Sequence, residues 1–255
     1  MKSPSLRLGL ISAMQQEQHG LIDLMRETHT VTRGMRNYVR GKFGELDSVC
    51  VLSRVGKVAA AATVATLIEH FDVTHVVFTG VAGAADQSVK VGDIVIADSL
   101  VQHDMDATPI FPRFQVPLTG QSHFGSDIHL TDLLAKAATD FVARDLQHLM
   151  DANDINKFFL HQPQVHRGLI ASGDEFIDNP GKLAGLREAL PSLLAVEMEG
   201  AAVAQVCFEF GVPFAVIRTI SDSANEKAPH DFMQFVDRVA SRYALGIVKR
   251  LCAGL

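Results

Sequence analysis

Short, nearly continuous apolar runs alternate along this chain with longer stretches in which apolar positions recur every three or four residues. The runs are LRLGLISA (6–13), THVVFTGVAGA (74–84), GDIVIADS (92–99), VHRGLIASGD (165–174), LLAVEME (193–199) and FAVIRTISD (214–222). A strand with one wet face would alternate apolar with polar, so these runs predict strands buried on both faces. Runs near 38–43 and 49–54 predict two more. KVAAAATVATLIEHF (57–71) carries Ala and Leu at helical spacing and predicts a helix. Helical spacing is also read after the first strand through about Glu27, over 128–148, and from about His230 to Leu251. The proline-bearing segment 107–122 reads as a loop.

Strands alternating with helices predict an α/β fold whose sheet is covered on both faces. No repeat, low-complexity tract or linker divides the chain, so a single domain over 1–255 is expected. The polar stretch 145–163, DLQHLMDANDINKFFLHQP, lacks a clean period and reads as an insertion and a candidate surface flap.

Composition narrows the function. The chain has 255 residues, 47% of them hydrophobic and 20% charged, as in ordinary globular domains. A net charge of −6 with scattered Lys and Arg argues against a nucleic-acid partner, because a phosphate backbone is met by a basic surface. No run approaches the ~18 apolar residues of a membrane-spanning helix. The start, MKSPSLRLGLISAM, grades into a strand and does not read as a signal peptide. Cys50, Cys207 and Cys252 have no CxxC spacing, which points to a reduced, cytoplasmic protein without disulfides.

The chemistry gathers where strands end. AVEMEGAAVAQV (195–206) puts Glu197 and Glu199 inside an apolar segment, and a carboxylate is expensive to bury without partners. VIRTISDSAN (216–225) ends in Arg218, Ser221 and Asp222. The first strand runs into Glu17, and the 165–174 strand brings Ser172. In open α/β sheets the carboxyl ends of strands form the ligand crevice, so these groups are expected on one rim. Asp222 as a cap and Glu199 in a first helical turn are the structural alternatives. His103, Asp104 and Asp106 lack a second His cluster at fixed spacing, so they read as a hydrogen-bonded turn, and no metal site is expected.

SAMQQE, SRVGKVAAA, FTGVAGA, KVGDIVIAD, SGDEFI, AVEMEGAAVA and RTISDSAN resemble, in order, the nucleoside phosphorylase–nucleosidase superfamily. Within it the chain is most similar to the 5′-methylthioadenosine/S-adenosylhomocysteine nucleosidases. The resemblance implies a single α/β domain around a mixed, twisted, partly barrel-like sheet flanked by helices. It also implies a homodimer, with no cofactor and no metal. By position it implies that Asp222 protonates the purine at N7 and that Ser221 helps hold Asp222. Glu17 would be the base for the attacking water, with Arg218 nearby. Glu199 would accept from the ribose hydroxyls, Met198 would lie against the sugar, and Glu197 would support from behind. Phe176 would stack on the base and the Ile177 backbone would read its edge. Ala13, Val55, Val81 and Phe232 would line the pocket. The loop with Ala107, Ile110, Pro112 and Phe114 would cap the neighbouring subunit's 5′ pocket.

Cleaving a purine N-glycosidic bond leaves positive charge on the sugar and needs a proton for the base, so anions and a buried acid suit the reaction. The activity that the resemblance implies is hydrolysis of an adenine nucleoside with a 5′-thio substituent. The departures keep alternatives open. Val81 stands where the nucleosidases more often have Ser or Thr, Ala84 where a second glycine is common, and Arg54 where a glycine is usual. A hydrolase of futalosine or 6-amino-6-deoxyfutalosine remains open because Arg113 lies in the 5′ loop. A phosphate-dependent phosphorylase and a catalytically silent nucleoside binder complete the set.

Overall fold

The computed structural model describes residues 6–255. The chain enters as β1 (Arg7–Ser12) and the one-turn helix α1 (Gln15–Gln18). β2 (Arg26–Arg33), β3 (Arg36–Phe43) and β4 (Leu46–Leu52) form a meander, followed by α2 (Lys57–Phe71). β5 (His75–Ala84), β6 (Ile94–Gln102) and the short β7 (His123–Gly125) lead to α3 (Ile128–Arg144), α4 (Leu146–Leu149) and α5 (Ala152–Lys157). β8 (Val165–Ser172), α6 (Pro180–Ala189), β9 (Leu193–Glu197), α7 (Gly200–Phe210) and β10 (Phe214–Asp222) complete the sheet. α8 (Ala228–Phe235) passes through a π-helical turn, Val236–Ala240, into α9 (Ser241–Gly254).

The sheet runs β10-β6-β8-β9-β5-β1-β4-β3-β2, and an additional β10–β5 pairing closes the first five strands into a ring. Its pairings are mixed: β1 is parallel to β4 and β5, while β6 is antiparallel to β10. Alternate residues of each inner strand serve different cores. Val77, Ile94, Ile96 and Ile217 pack with Leu134, Phe141, Tyr243 and Ile247 of α3 and α9. Val76, Phe78, Val95 and Val216 pack with Val64, Leu67, Val203 and Cys207 of α2 and α7. Both faces are dry, which is why the apolar runs were unbroken. The expected single α/β domain is the observed one.

Two readings need correction. The helix expected through Glu27 is only one turn, because the chain reverses at Gly20 (φ +82°), and Arg26 already starts β2. That strand, RETHTVTR, is an almost wholly exposed edge, so no apolar run announces it, and only its β-branched Thr and Val do. The stretch 145–163 is no loose flap. Leu146, Met150, Ile155, Phe158 and Leu160 are buried, and Leu160 fills the space over Gly92.

Candidate active site

The site begins where the sheet forks. β10 flanks β5 along its length, but on the other side β1 pairs only with residues 75–78 and β9 only with 83–84. In the gap the Val81 N–H has no strand to meet and donates to Glu17 Oε1 at 3.1 Å. Ala13 N and Met14 N, just past β1, donate to Oε2 at 2.8 and 2.9 Å. Three backbone donors therefore hold a carboxylate that is 2% exposed. Burial still pushes the Glu17 pKa upward, against the pull of the Arg218 charge and of these amides. Gly80 makes the approach possible: a Cβ there would sit 2.9 Å from Glu17 Oε1 and 3.3 Å from Arg218 Nη1.

The two acids at the β9–α7 turn have different fates. Glu197 Oε2 accepts from Arg218 Nη2 at 2.6 Å and Nε at 3.1 Å. The Gly200 amide bonds both Glu197 oxygens, the Glu199 amide bonds Oε2, and the Ser172 hydroxyl donates to Oε1. Ser172 Oγ in turn accepts from Ala201 N at 2.7 Å. Glu197 and Ser172 thus satisfy the first free amides of α7. Glu199 takes a single hydrogen bond among the described residues, from Gly56 N to Oε1 at 2.8 Å. Its second oxygen is left for a ligand. Burial, then the neighbouring Glu197 charge, raise the Glu199 pKa.

At the end of β10, Asp222 is 2% exposed and has no cation partner among the described residues. Ser221 Oγ donates to its Oδ2 at 2.8 Å and Ala224 N to its Oδ1 at 2.9 Å. Burial raises its pKa, opposed by those two bonds. Gly83 repeats the role of Gly80, since a Cβ there would lie 2.9 Å from Asp222 Oδ1.

One cavity collects these groups. Glu17, Glu197, Glu199, Ser221 and Asp222 supply its polar wall. Ala13, Val55, Val81, Ile177 and Met198 supply apolar wall, with Phe176 and Phe232 edge to face at 5.5 Å between ring centroids. Met14, Ala82, Gly83, Glu175 and Val196 also line it and were not singled out from sequence. No Lys, Arg or His is on this wall among the described residues.

Three expectations fare differently. Arg218 is not on the wall. It is 1% exposed, lies over the Phe78 ring at 4.1 Å and is spent on Glu197, so it acts by fixing that acid rather than by touching a ligand. Phe114, placed by the resemblance over a neighbour's pocket, packs within its own chain in a cluster with Val101 and Val196, at φ +68°. Ala107, Ile110 and Pro112 lie away from this chain's cavity, with Ile110 81% exposed. Arg113 lies over the Phe114 ring at 4.5 Å, and Arg54 donates outward to Met35 O at 2.7 Å. Asp104 is paired with Lys57 at 2.6 Å.

Residues 7–253 match the profile of the phosphorylase superfamily. The chain belongs to this superfamily. Within the superfamily, the 5′-methylthioadenosine/S-adenosylhomocysteine nucleosidase of Hydrogenovibrio crunogenus is 35% identical over 247 residues, covering 96% of this chain and 98% of that one. The structure is similar to that of the same-named Neisseria meningitidis nucleosidase in complex with methylthio-immucillin-A. The TM-score is 0.86 at 34% identity, over 98% of this chain and 99% of that one. Another superfamily structure, futalosine hydrolase of Helicobacter pylori, matches with a TM-score of 0.84 at 29% identity, over 98% of each chain.

Proposed function

We propose that the protein hydrolyses the N-glycosidic bond of an adenine nucleoside carrying a 5′-thio substituent, 5′-methylthioadenosine or S-adenosylhomocysteine, and releases adenine. The observation that carries this is a cavity with three buried, upward-shifted carboxylates, Glu17, Glu199 and Asp222, none ion-paired among the described residues. The names of the similar proteins support the substrate class. In this reading burial shifts Asp222 toward its protonated form, and it gives its proton to the leaving base, which would otherwise depart as an anion. Glu17, ionised, takes a proton from the attacking water, whose oxygen bonds to the anomeric carbon as the C–N bond breaks. Glu199 accepts from the ribose hydroxyls through its free oxygen and stabilises positive charge on the ring. Phe176 and Phe232 hold the base.

A wall with four glutamates, an aspartate and no cationic side chain favours water over phosphate, which would need donors and positive charge. The same wall disfavours a 5′ group with a net negative charge. We further infer a homodimer. Val58 on α2 is 80% exposed, Phe208 on α7 is 48% exposed, and the 107–112 loop presents Ile110, together an apolar face that a second copy covers. Three free cysteines support a cytoplasmic location.

The test is adenine release from 5′-methylthioadenosine with and without phosphate, beside Asp222→Asn. Release independent of phosphate, and reduced by about a hundred- to ten-thousand-fold in the variant, is expected. Release only with phosphate would make the protein a phosphorylase. Release from futalosine but not from 5′-methylthioadenosine would move it to the class of the Helicobacter pylori hydrolase.

A further inference from the structure

Glu17 borders two cavities. One is the nucleoside cavity. The other is a small chamber of about 10 Å³, room for one water molecule. Its walls are Glu17, Thr79 and Gly80 on one side, Ile217 and Thr219 of β10 on another, and Ala240, Ala244 and Ile247 of the C-terminal helix. Both glutamate oxygens meet groups of the nucleoside cavity, Oε1 through Val81 N and Oε2 through Ala13 N and Met14 N, and only Oε1 also borders the chamber. Oε1 is the oxygen beside Gly80, which lines the chamber.

The chamber is polar where it meets Glu17. Thr79 Oγ1 is already paired with Ser12 Oγ at 3.1 Å. Thr219 has no such partner among the described residues, so its hydroxyl is the free donor of the chamber. Thr219 is in register with Val81, and Val81 has no hydroxyl of its own. The opposite wall is apolar, Ala240 at the end of the π-helical turn and Ala244 and Ile247 one and two turns further on in α9.

We propose that Thr219 is a positioning residue for Glu17, holding a buried water in this chamber that donates a hydrogen bond to Glu17 Oε1. The water accepts from the Thr219 hydroxyl and donates to the carboxylate. It fixes the oxygens while Oε2 faces the nucleoside cavity, and it supports the ionised form that the base role needs. The charged groups facing Glu17 are Arg218 from β10 and Glu199 from the β9–α7 turn. The helix side presents only Ala240, Ala244 and Ile247. The inference rests on the hydrolase reading above.

The test is the pH profile of kcat/KM for adenine release by Thr219→Val, Thr219→Ser and the chamber-filling Ala244→Val. Removing a donor from a buried carboxylate raises its pKa, so the acidic limb of Thr219→Val moves up by about half a pH unit or more. The alkaline limb, which reports the acid Asp222, stays in place, and Thr219→Ser restores the wild-type profile. Ala244→Val displaces the water without touching the hydroxyl and moves the acidic limb the same way. An unmoved acidic limb in both valine variants would overturn the proposal, as would a Ser variant that behaves like Val. A high-resolution crystal structure of the wild type is the readout independent of turnover, and density bridging Thr219 Oγ1 and Glu17 Oε1 is expected. An empty chamber would overturn the proposal even if the enzyme is active. A wild type that releases no adenine would instead overturn the hydrolase reading.

Discussion

The back of the site and its wall treat the same residue type in opposite ways. At the back, where the cavity wall meets the buried Arg218, Glu197 is saturated by a guanidinium, two amides and a hydroxyl. On the wall, Glu199 has one partner, Glu17 three amides and Asp222 one amide and one hydroxyl. Two glutamates only two residues apart therefore do different work. The first spends its charge on holding the frame, and the second keeps an oxygen free. Buried charge is tolerated at the back because it is paired, whereas on the wall burial shifts Asp222 toward its protonated form and Glu17 and Glu199 rest on backbone amides.

That contrast can be broken. Arg218→Met leaves the Glu197 charge buried and unpaired, and its unfolding free energy should drop by about 3–5 kcal/mol in denaturant titrations. Glu199→Gln should keep or raise the wild-type Tm at neutral pH and lose kcat/KM, because it removes an acid whose burial costs the fold stability there. An equal loss of stability in both variants would erase the distinction between back and wall.

The next largest effect is steric. Gly83→Ala places a methyl against Asp222 Oδ1, and a misplaced acid should lower kcat by up to about a hundredfold with the Tm nearly unchanged. Gly80→Ala should do the same through Glu17.

A smaller effect is in stability against pH. Glu17, Glu199 and Asp222 have folded-state pKa values above their ordinary ones, so between the two values the native state binds more protons than the unfolded chain. Their contribution is fully present below the ordinary values, 4.5 for the glutamates and 3.8 for the aspartate, and is lost as pH rises toward the folded-state values. Melting scans should show stability eroding above that range, and Glu199→Gln should flatten the slope. The smallest effect belongs to Arg54, which sits at φ +72° on the exterior. Arg54→Gly exchanges backbone strain for one surface hydrogen bond, and stability should change by less than about 0.5 kcal/mol.

How far the sequence reaches differs from element to element. The buried strands were legible because both faces are dry, leaving unbroken apolar runs. The exposed edge β2 was not, since an edge strand paired on one side buries nothing that periodicity can register. The acids were legible as charge at the ends of apolar runs, and twelve of the thirteen side chains expected in or beside the nucleoside site line one cavity. The exception, Arg218, and the packing of Phe114 within its own chain depend on which neighbour a side chain meets, and one-dimensional spacing carries no such information.

The sequence by itself determined the alternation of strand and helix, the absence of a basic surface and the collection of acids at the sheet's rim, because these follow from hydrophobic periodicity and from charge at strand ends. Only the tertiary structure decided which acid is spent and which is free. That depends on the fork in β5, which exposes the Val81 amide to Glu17, and on two glycines that let carboxylates approach a strand. It depends also on where the Arg218 guanidinium lands, 21 residues from Glu197 along the chain and 2.6 Å from it in space.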